Sequence, residues 1–173
     1  MESDQAGLQE VVLHTDGACI GNPGPGGFGA VLEYAGHRKT ISGGYRRTTS
    51  NRMEMMALIA GLAALKRRCK VVVYSDSEIL VHGIMKGTAY KARSNGWKVG
   101  KKYKGNSDLW SIILDLCDKH AVELVWLPGH AGHPGNELAD RLACSAARRD
   151  DLLIDAAFEQ GDTIKRGPEL AFG

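Results

Sequence analysis

The sequence predicts an α/β domain with a mixed five-stranded sheet flanked by helices on both faces, and three observations carry that reading. Three strand-like segments follow one another between residues 11 and 45, joined only by short Gly- and Pro-containing turns. Short apolar runs then alternate with helical patterns, the order expected when crossover helices return a chain to one sheet. At 173 residues, 43% hydrophobic and 24% charged, the chain has the size and composition of a single globular domain.

In order, residues 11–19 (VVLHTDGAC) suit a strand, and the NPGPGG turn at 22–27 feeds a second strand over 28–34. A hairpin through Ala35 and Gly36 returns as 39–45. Gly24 to Gly29 spells G-x-G-x-x-G, but a dinucleotide fingerprint must open a helix, and here Ala30-Val31-Leu32 continues as strand. The glycines are expected instead to shape the turn and to let a substrate backbone approach closely. Residues 53–66 are dense in Met, Ala and Leu and apolar nearly all round, as a central buried helix would be, with Thr49 or Ser50 as its cap. KVVVY at 70–74 is a short strand of the doubly covered kind. Helices follow over 77–86 and 107–119, then a fifth strand over 122–127. A PGHAGHPG loop leads to a last helix, capped by Asn136, that runs to about residue 148. Periodicity fades after Arg149, so residues 1–149 form the expected domain and 150–173 a weakly ordered tail.

Composition narrows the function classes. No apolar run approaches the length of a membrane span, and the acidic, polar start MESDQAGLQE lacks the basic and apolar pattern of an export signal. A cytoplasmic, monomeric protein without a membrane partner is expected. Cys19, Cys69, Cys117 and Cys144 are scattered without a CxxC pair, which favours free thiols. Zinc held by His130, His133 and a cysteine is disfavoured because neither HExxH nor paired-cysteine spacing is present.

Net charge is only +2, yet it is unevenly spread. Between residues 86 and 105 stand Lys86, Lys91, Arg93, Lys98, Lys101, Lys102 and Lys104 without one acidic residue, interleaved with Tyr90, Trp97 and Tyr103. A solvated loop is the ordinary explanation; seven like charges among aromatics favour a polyanion such as nucleic acid.

Four carboxylates, each in its own motif, are the chemical signal: Asp16 in TDGACIGNPGPGG, Glu54 in TTSNRMEMMAL, Asp76 in VVVYSDS and Asp140 in GHAGHPGNELAD. Each has a local alternative. Glu54 and Asp140 fall near helix starts, where the dipole favours negative charge, and Asp76 sits where a cap would. Asp16, in the middle of a strand, has no cap to make and needs a positive partner once buried. In the expected fold the four can converge on one sheet edge, and such a cluster is tolerable when divalent cations neutralise it.

The segments TDGACIGNPGPGGFGAVL, TTSNRMEMMALIAGL, YSDS, GWKVGKKYKGNSDLW and PGHAGHPGNELADRLA, taken in order over residues 8–148, resemble the bacterial type 1 ribonuclease H family. The resemblance implies a ribonuclease H-like fold and an endonuclease that hydrolyses the RNA strand of an RNA/DNA hybrid, leaving 5'-phosphate and 3'-hydroxyl ends. It implies two Mg2+ ions, replaceable by Mn2+, held by Asp16, Glu54, Asp76 and Asp140, with His130 assisting proton transfer or product release. Hard oxygen ligands suit Mg2+, and two ions roughly 4 Å apart can activate water and stabilise the leaving oxygen. By the same resemblance Gly17, Cys19 and Asn51 lie along the RNA minor groove. Asn22 and Thr49 hold a DNA phosphate, while Trp97, Lys98, Lys101 and Lys102 belong to a basic protrusion that grips the hybrid. The chain departs from the family pattern at Ser50, Glu78 and Gly87, and Tyr90 is a candidate for the aromatic surface missing at Gly87. Two other classes compete: a non-catalytic hybrid-binding module, which would not need the carboxylates, and a resolvase- or integrase-like DNA enzyme, which would lack the GHAGHPGNELAD loop.

Overall fold

Alternation of side chains along the first strand decides which helix lies on which face of the sheet. The structure, a computed structural model, describes residues 7–165. Strands β1 (Gln9–Cys19), β2 (Gly24–Tyr34) and β3 (His37–Thr48) form an antiparallel meander. Helix α1 (Ser50–Ala63) then crosses to β4 (Cys69–Ser75), which pairs parallel with β1. Helices α2 (Glu78–Met85) and α3 (Thr88–Ser94), a small hairpin of β5 (Lys98–Val99) and β6 (Lys102–Tyr103), and α4 (Ser107–Lys119) follow. The chain returns through β7 (Ala121–Trp126), parallel to β4, before α5 (Pro134–Ala147) and the short α6 (Ala156–Glu159). Sheet order is β3-β2-β1-β4-β7, the mixed five-stranded sheet expected.

On β1, Val11 and Leu13 point into the main core, where Leu13 meets Gly61 of α1, whereas His14 lies against Gly135 of α5. A period of two therefore places α1 on one face and α5 on the other. The core holds Leu58 and Leu62 of α1, Val71 and Val73 of β4 and Trp110, Ile113 and Leu114 of α4. Thr49 caps α1, accepting from the Arg52 amide at 3.3 Å.

Several elements differ from the sequence reading. The glycines of β2 serve packing: the Cα atoms of Gly27 and Gly29 lie against the α5 backbone at Ala143 and Ala139, leaving no room for a side chain and none for a substrate strand on that face. The basic segment contains α3 and the β5–β6 hairpin, which its charge pattern concealed. Asn136 does not cap α5; that helix begins at Pro134, and Asn136 bonds across to β1 and β4.

The segment expected as a weakly ordered tail is packed as far as residue 165. Leu153 exchanges backbone hydrogen bonds with Gly44 and Arg46 of β3 at 3.0 and 2.8 Å. Asp155 accepts from Arg52 and from the Thr48 hydroxyl, the latter at 2.7 Å, and Lys165 bonds to Ser107 and Ser111 of α4. Long-range ion pairing of this kind leaves no periodic trace in sequence. Residues 166–173 of that expectation lie outside the described residues.

Candidate metal centre

Gly17 brings the first two carboxylates together. A Cβ on Gly17 would collide with the α1 backbone at Met53 and Glu54, so only glycine lets the start of α1 settle on the end of β1. The Gly17 amide also donates to Asp16 Oδ1 at 2.9 Å. Asp76 follows the last residue of the parallel neighbour β4. Ligand oxygens of Asp16, Glu54 and Asp76 all lie within 4.8 Å of one another.

The local alternatives for these acids do not hold. Glu54 is the fifth residue of α1 and not in its first turn. Ser77, not Asp76, caps α2, accepting from the Leu80 amide at 3.4 Å. Asp140 lies deep in α5, beyond the dipole's strongest reach. It faces the same cavity as Asp16 and Asp76, which is closed by Pro128, Gly129, His130, Ala131 and His133 of the β7–α5 loop. Asp140 Oδ1 accepts from the Cys144 thiol at 3.6 Å, a contact readable only from the four-residue helical spacing.

Electrostatics mark the cluster as unsatisfied. Burial raises the Asp16 pKa to about 6, with the Asp76 and Asp140 charges adding to the rise. Burial also lifts Glu54 well above the ordinary carboxylate range, reinforced by the neighbouring Asp16 charge and a proton-sharing contact with it. Glu54 Oε2 is buried without a hydrogen-bond partner. A buried lone pair without a donor, in a cluster where burial disfavours the charged forms of Asp16 and Glu54, is what a bound divalent cation would relieve. The residues present therefore fit an oxygen-ligated hard metal.

His130 is exposed and has a left-handed backbone, φ 57°, at the tip of the loop beside the acids; His133 is exposed in the same loop. Around the rim, Asn51 is exposed on the first turn of α1. The Cys19 thiol donates to the carbonyls of Gly24 and Thr48, both at 3.5 Å. Asn22 Nδ2 donates to Ser50 Oγ at 3.2 Å and the Ser50 amide donates back to Asn22 Oδ1 at 3.3 Å, so the departure at Ser50 is absorbed by pairing with Asn22.

Lys98, Lys101 and Lys102 are exposed on the β5–β6 hairpin, with Lys98 Nζ 5.5 Å from the centre of the Tyr103 ring. Trp97 requires a correction: it is 4% exposed and belongs to the core, so its indole anchors the hairpin and offers no face to a ligand. Tyr90 likewise packs against the core beneath Arg93 and does not replace a surface aromatic at Gly87. An aromatic among lysines looks alike in sequence whether it points outward or inward. Sequence reasoning also missed His14, Asn136 and Arg52, whose roles depend on partners more than 50 residues away.

Comparison with known proteins gives a consistent picture. The family model described as RNase H matches residues 8–148. A protein of Rippkaea orientalis named Ribonuclease H is 53% identical over 152 residues, covering 87% of this chain and 93% of its own. The crystal structure of LC9-RNase H1, a type 1 RNase H with the type 2 active-site motif, superposes with a TM-score of 0.72 at 32% identity, covering 89% of this chain and 81% of that one. LC11-RNase H1 in complex with an RNA/DNA hybrid gives a TM-score of 0.62 at 26% identity, covering 79% and 96%.

Proposed function

Since the chain belongs to the RNase H family, we propose that it is an endoribonuclease that hydrolyses the RNA strand of RNA/DNA hybrids, leaving 5'-phosphate and 3'-hydroxyl ends. The observation that carries the reading is the convergence of Asp16, Glu54 and Asp76 with a buried, partnerless carboxylate oxygen, in a cavity that Asp140 and His130 also line. The relative solved with an RNA/DNA hybrid supports the substrate class.

Asp16, Glu54, Asp76 and Asp140 would hold two Mg2+ ions in the substrate complex, with Mn2+ as a substitute. Bound there, the ions supply a nucleophilic water at neutral pH and charge stabilisation for the leaving oxygen. The remaining chemistry is the chain's own. The close seat of α1 on Gly17 sets Asp16 and Glu54 side by side, so their ligand oxygens already stand together where the ions would bind. His130, exposed beside the acids, is placed to pass a proton between the site and solvent and to assist departure of the product.

The rim reads the substrate. Asn51, Cys19 and the Gly17 backbone face RNA 2'-hydroxyls, Asn22 and Thr49 hold a DNA phosphate, and Lys98, Lys101 and Lys102 meet backbone phosphates. All four acids come from one chain, which favours a monomer as the working unit; the site of action is the cytoplasm. Among the described residues no helix is long and apolar enough to cross a membrane.

Cleavage of end-labelled RNA/DNA hybrid, double-stranded RNA and double-stranded DNA in Mg2+ tests the proposal. Hybrid alone should be cut, and only in its RNA strand. Incision of double-stranded DNA would favour the DNA-enzyme class, and binding without incision a hybrid-binding module. Each hydrogen bond to a 2'-hydroxyl contributes only about 1 kcal/mol, so a run of about four ribonucleotides should be cut far better than a single one set in DNA.

A further inference from the structure

Beneath the carboxylates lies a second tier of polar residues, each one periodic step along its element from an acid. His14 is two residues before Asp16 on β1, Tyr74 two before Asp76 on β4, and Asn136 four before Asp140 on α5. A period of two along strands, and of about four along a helix, puts each on the same face as its acid, one step away. The three meet. His14 and Tyr74 are register partners in the parallel β1–β4 pair, their rings 5.3 Å apart and inclined by 18°. Asn136 bridges both strands: His14 Nδ1 lies 2.6 Å from Asn136 Oδ1, and Asn136 Nδ2 donates to the Tyr74 carbonyl at 3.3 Å.

These bonds fix the histidine tautomer. Only the amide nitrogen can donate to the Tyr74 carbonyl, so the amide oxygen faces His14, and His14 Nδ1 must carry the hydrogen. The imidazole also fills the space above Gly135, where a Cβ would collide with the ring. The first turn of α5 is thus seated on the two strands that carry Asp16 and Asp76, through one amide side chain, in the cavity that the acids line.

We infer that His14 is a positioning residue for the metal centre: through Asn136 it sets the seat of α5 on β1 and β4, and with it the distance of Asp140 and of the His130 loop from Asp16 and Asp76. His14 touches neither substrate nor metal in this scheme. The inference rests on the nuclease reading for its catalytic consequence only.

Two substitutions separate its two contacts. His14→Phe keeps a ring over Tyr74 and removes the donor; His14→Asn removes the ring and leaves an amide nitrogen near the place of Nδ1. Partners that orient ligands typically contribute about 10–100-fold to metal affinity or activity. His14→Phe should therefore lower kcat by about tenfold, with KM for the hybrid within about twofold of the parent, and raise the Mg2+ dissociation constant measured by calorimetry. His14→Asn should recover most of both. His14→Phe combined with Asn136→Ala should be no worse than Asn136→Ala alone. Hydrogen exchange over residues 128–141 should quicken in His14→Phe and return toward the parent in His14→Asn.

Parental kcat and Mg2+ affinity in His14→Phe, losses that multiply in the double variant, or an equal failure of both substitutions would each overturn the inference. If the parent itself leaves hybrids intact, the nuclease reading falls. Mg2+ affinity and hydrogen exchange would still decide the positioning role.

Discussion

Arg52 donates to Asp155 through Nε at 2.7 Å and Nη2 at 3.0 Å, joining the first turn of α1 to a residue beyond the family-matched region. The same guanidinium reaches Asp108 at 2.9 and 2.8 Å, and it is 2% exposed. Burial works against the Asp155 carboxylate, but hydrogen bonds from Arg52 and Thr48 outweigh it and hold its pKa below the ordinary value. Asp155→Ala should cost about 2–4 kcal/mol, below the full loss of a buried pair because Asp108 still holds Arg52. Urea unfolding at pH 7 measures it. Because the folded pKa is depressed, this contribution is present above the unfolded pKa and is lost as pH falls through the folded one, so the gap between parent and variant should close in acid.

Asp76→Asn should abolish cleavage while hybrid binding stays near parental. The change keeps side-chain volume and removes a charge from a centre where losing a metal position costs several kcal/mol, a fall of at least about a hundredfold. Single-turnover cleavage in Mg2+ alongside filter binding checks it, and activity within tenfold of the parent would remove Asp76 from the centre. His130→Ala should slow turnover without eliminating it; parental rates from about pH 6 to 9 would leave the histidine only a loop role.

The acids should make the metal-free fold less stable as pH rises. Asp16, with its pKa raised to about 6, and Glu54, also raised, retain protons in the folded state at a pH where the unfolded chain has released them. Stability of the metal-free protein should therefore fall as pH climbs from about 4 through 6 and beyond, with Asp16 alone contributing up to about 3 kcal/mol. Asp16→Asn should stabilise the metal-free protein more at pH 8 than at pH 5. Urea titrations in chelator decide it, and an equal effect at both pH values would refute it. Mg2+ should recover stability at pH 8 and bind more weakly at pH 5, where it competes with protons.

The hairpin lysines and Trp97 should fail in different ways. Replacing Lys98, Lys101 and Lys102 with alanine should raise the dissociation constant for hybrid and shallow the slope of log affinity against log salt by up to about one unit per lost phosphate contact. Trp97→Ala, which empties a core position, should instead cost about 3–5 kcal/mol of stability. An unchanged salt slope in the lysine variant would show that these side chains do not meet the backbone.

What the sequence disclosed follows from how local each signal is. The strands and most helices were legible because periodicity is written in consecutive residues, and the acids because each sits in a dense motif. Ser77 displaced Asp76 as a cap by one residue, within the uncertainty of any helix boundary. Trp97, Asn136 and residues 150–165 were misread for one reason. Whether an indole points inward, an amide caps or crosses, or a polar segment docks depends on partners such as Arg52 and His14 that no local pattern announces.

The placement of the acids also bears on the life of the chain before it is complete. Asp16 stands on β1 and Asp76 just past the end of its neighbour β4, Glu54 on the helix between them in sequence, and Asp140 on the last long helix. A polypeptide still emerging from a ribosome has made three of the four when α5 has yet to appear. The His130 loop and Asn136, whose amide seats α5 on His14, arrive with that same final stretch. Until α5 is made, the centre therefore lacks Asp140, the His130 loop and the amide that seats the helix on β1 and β4, all three at once.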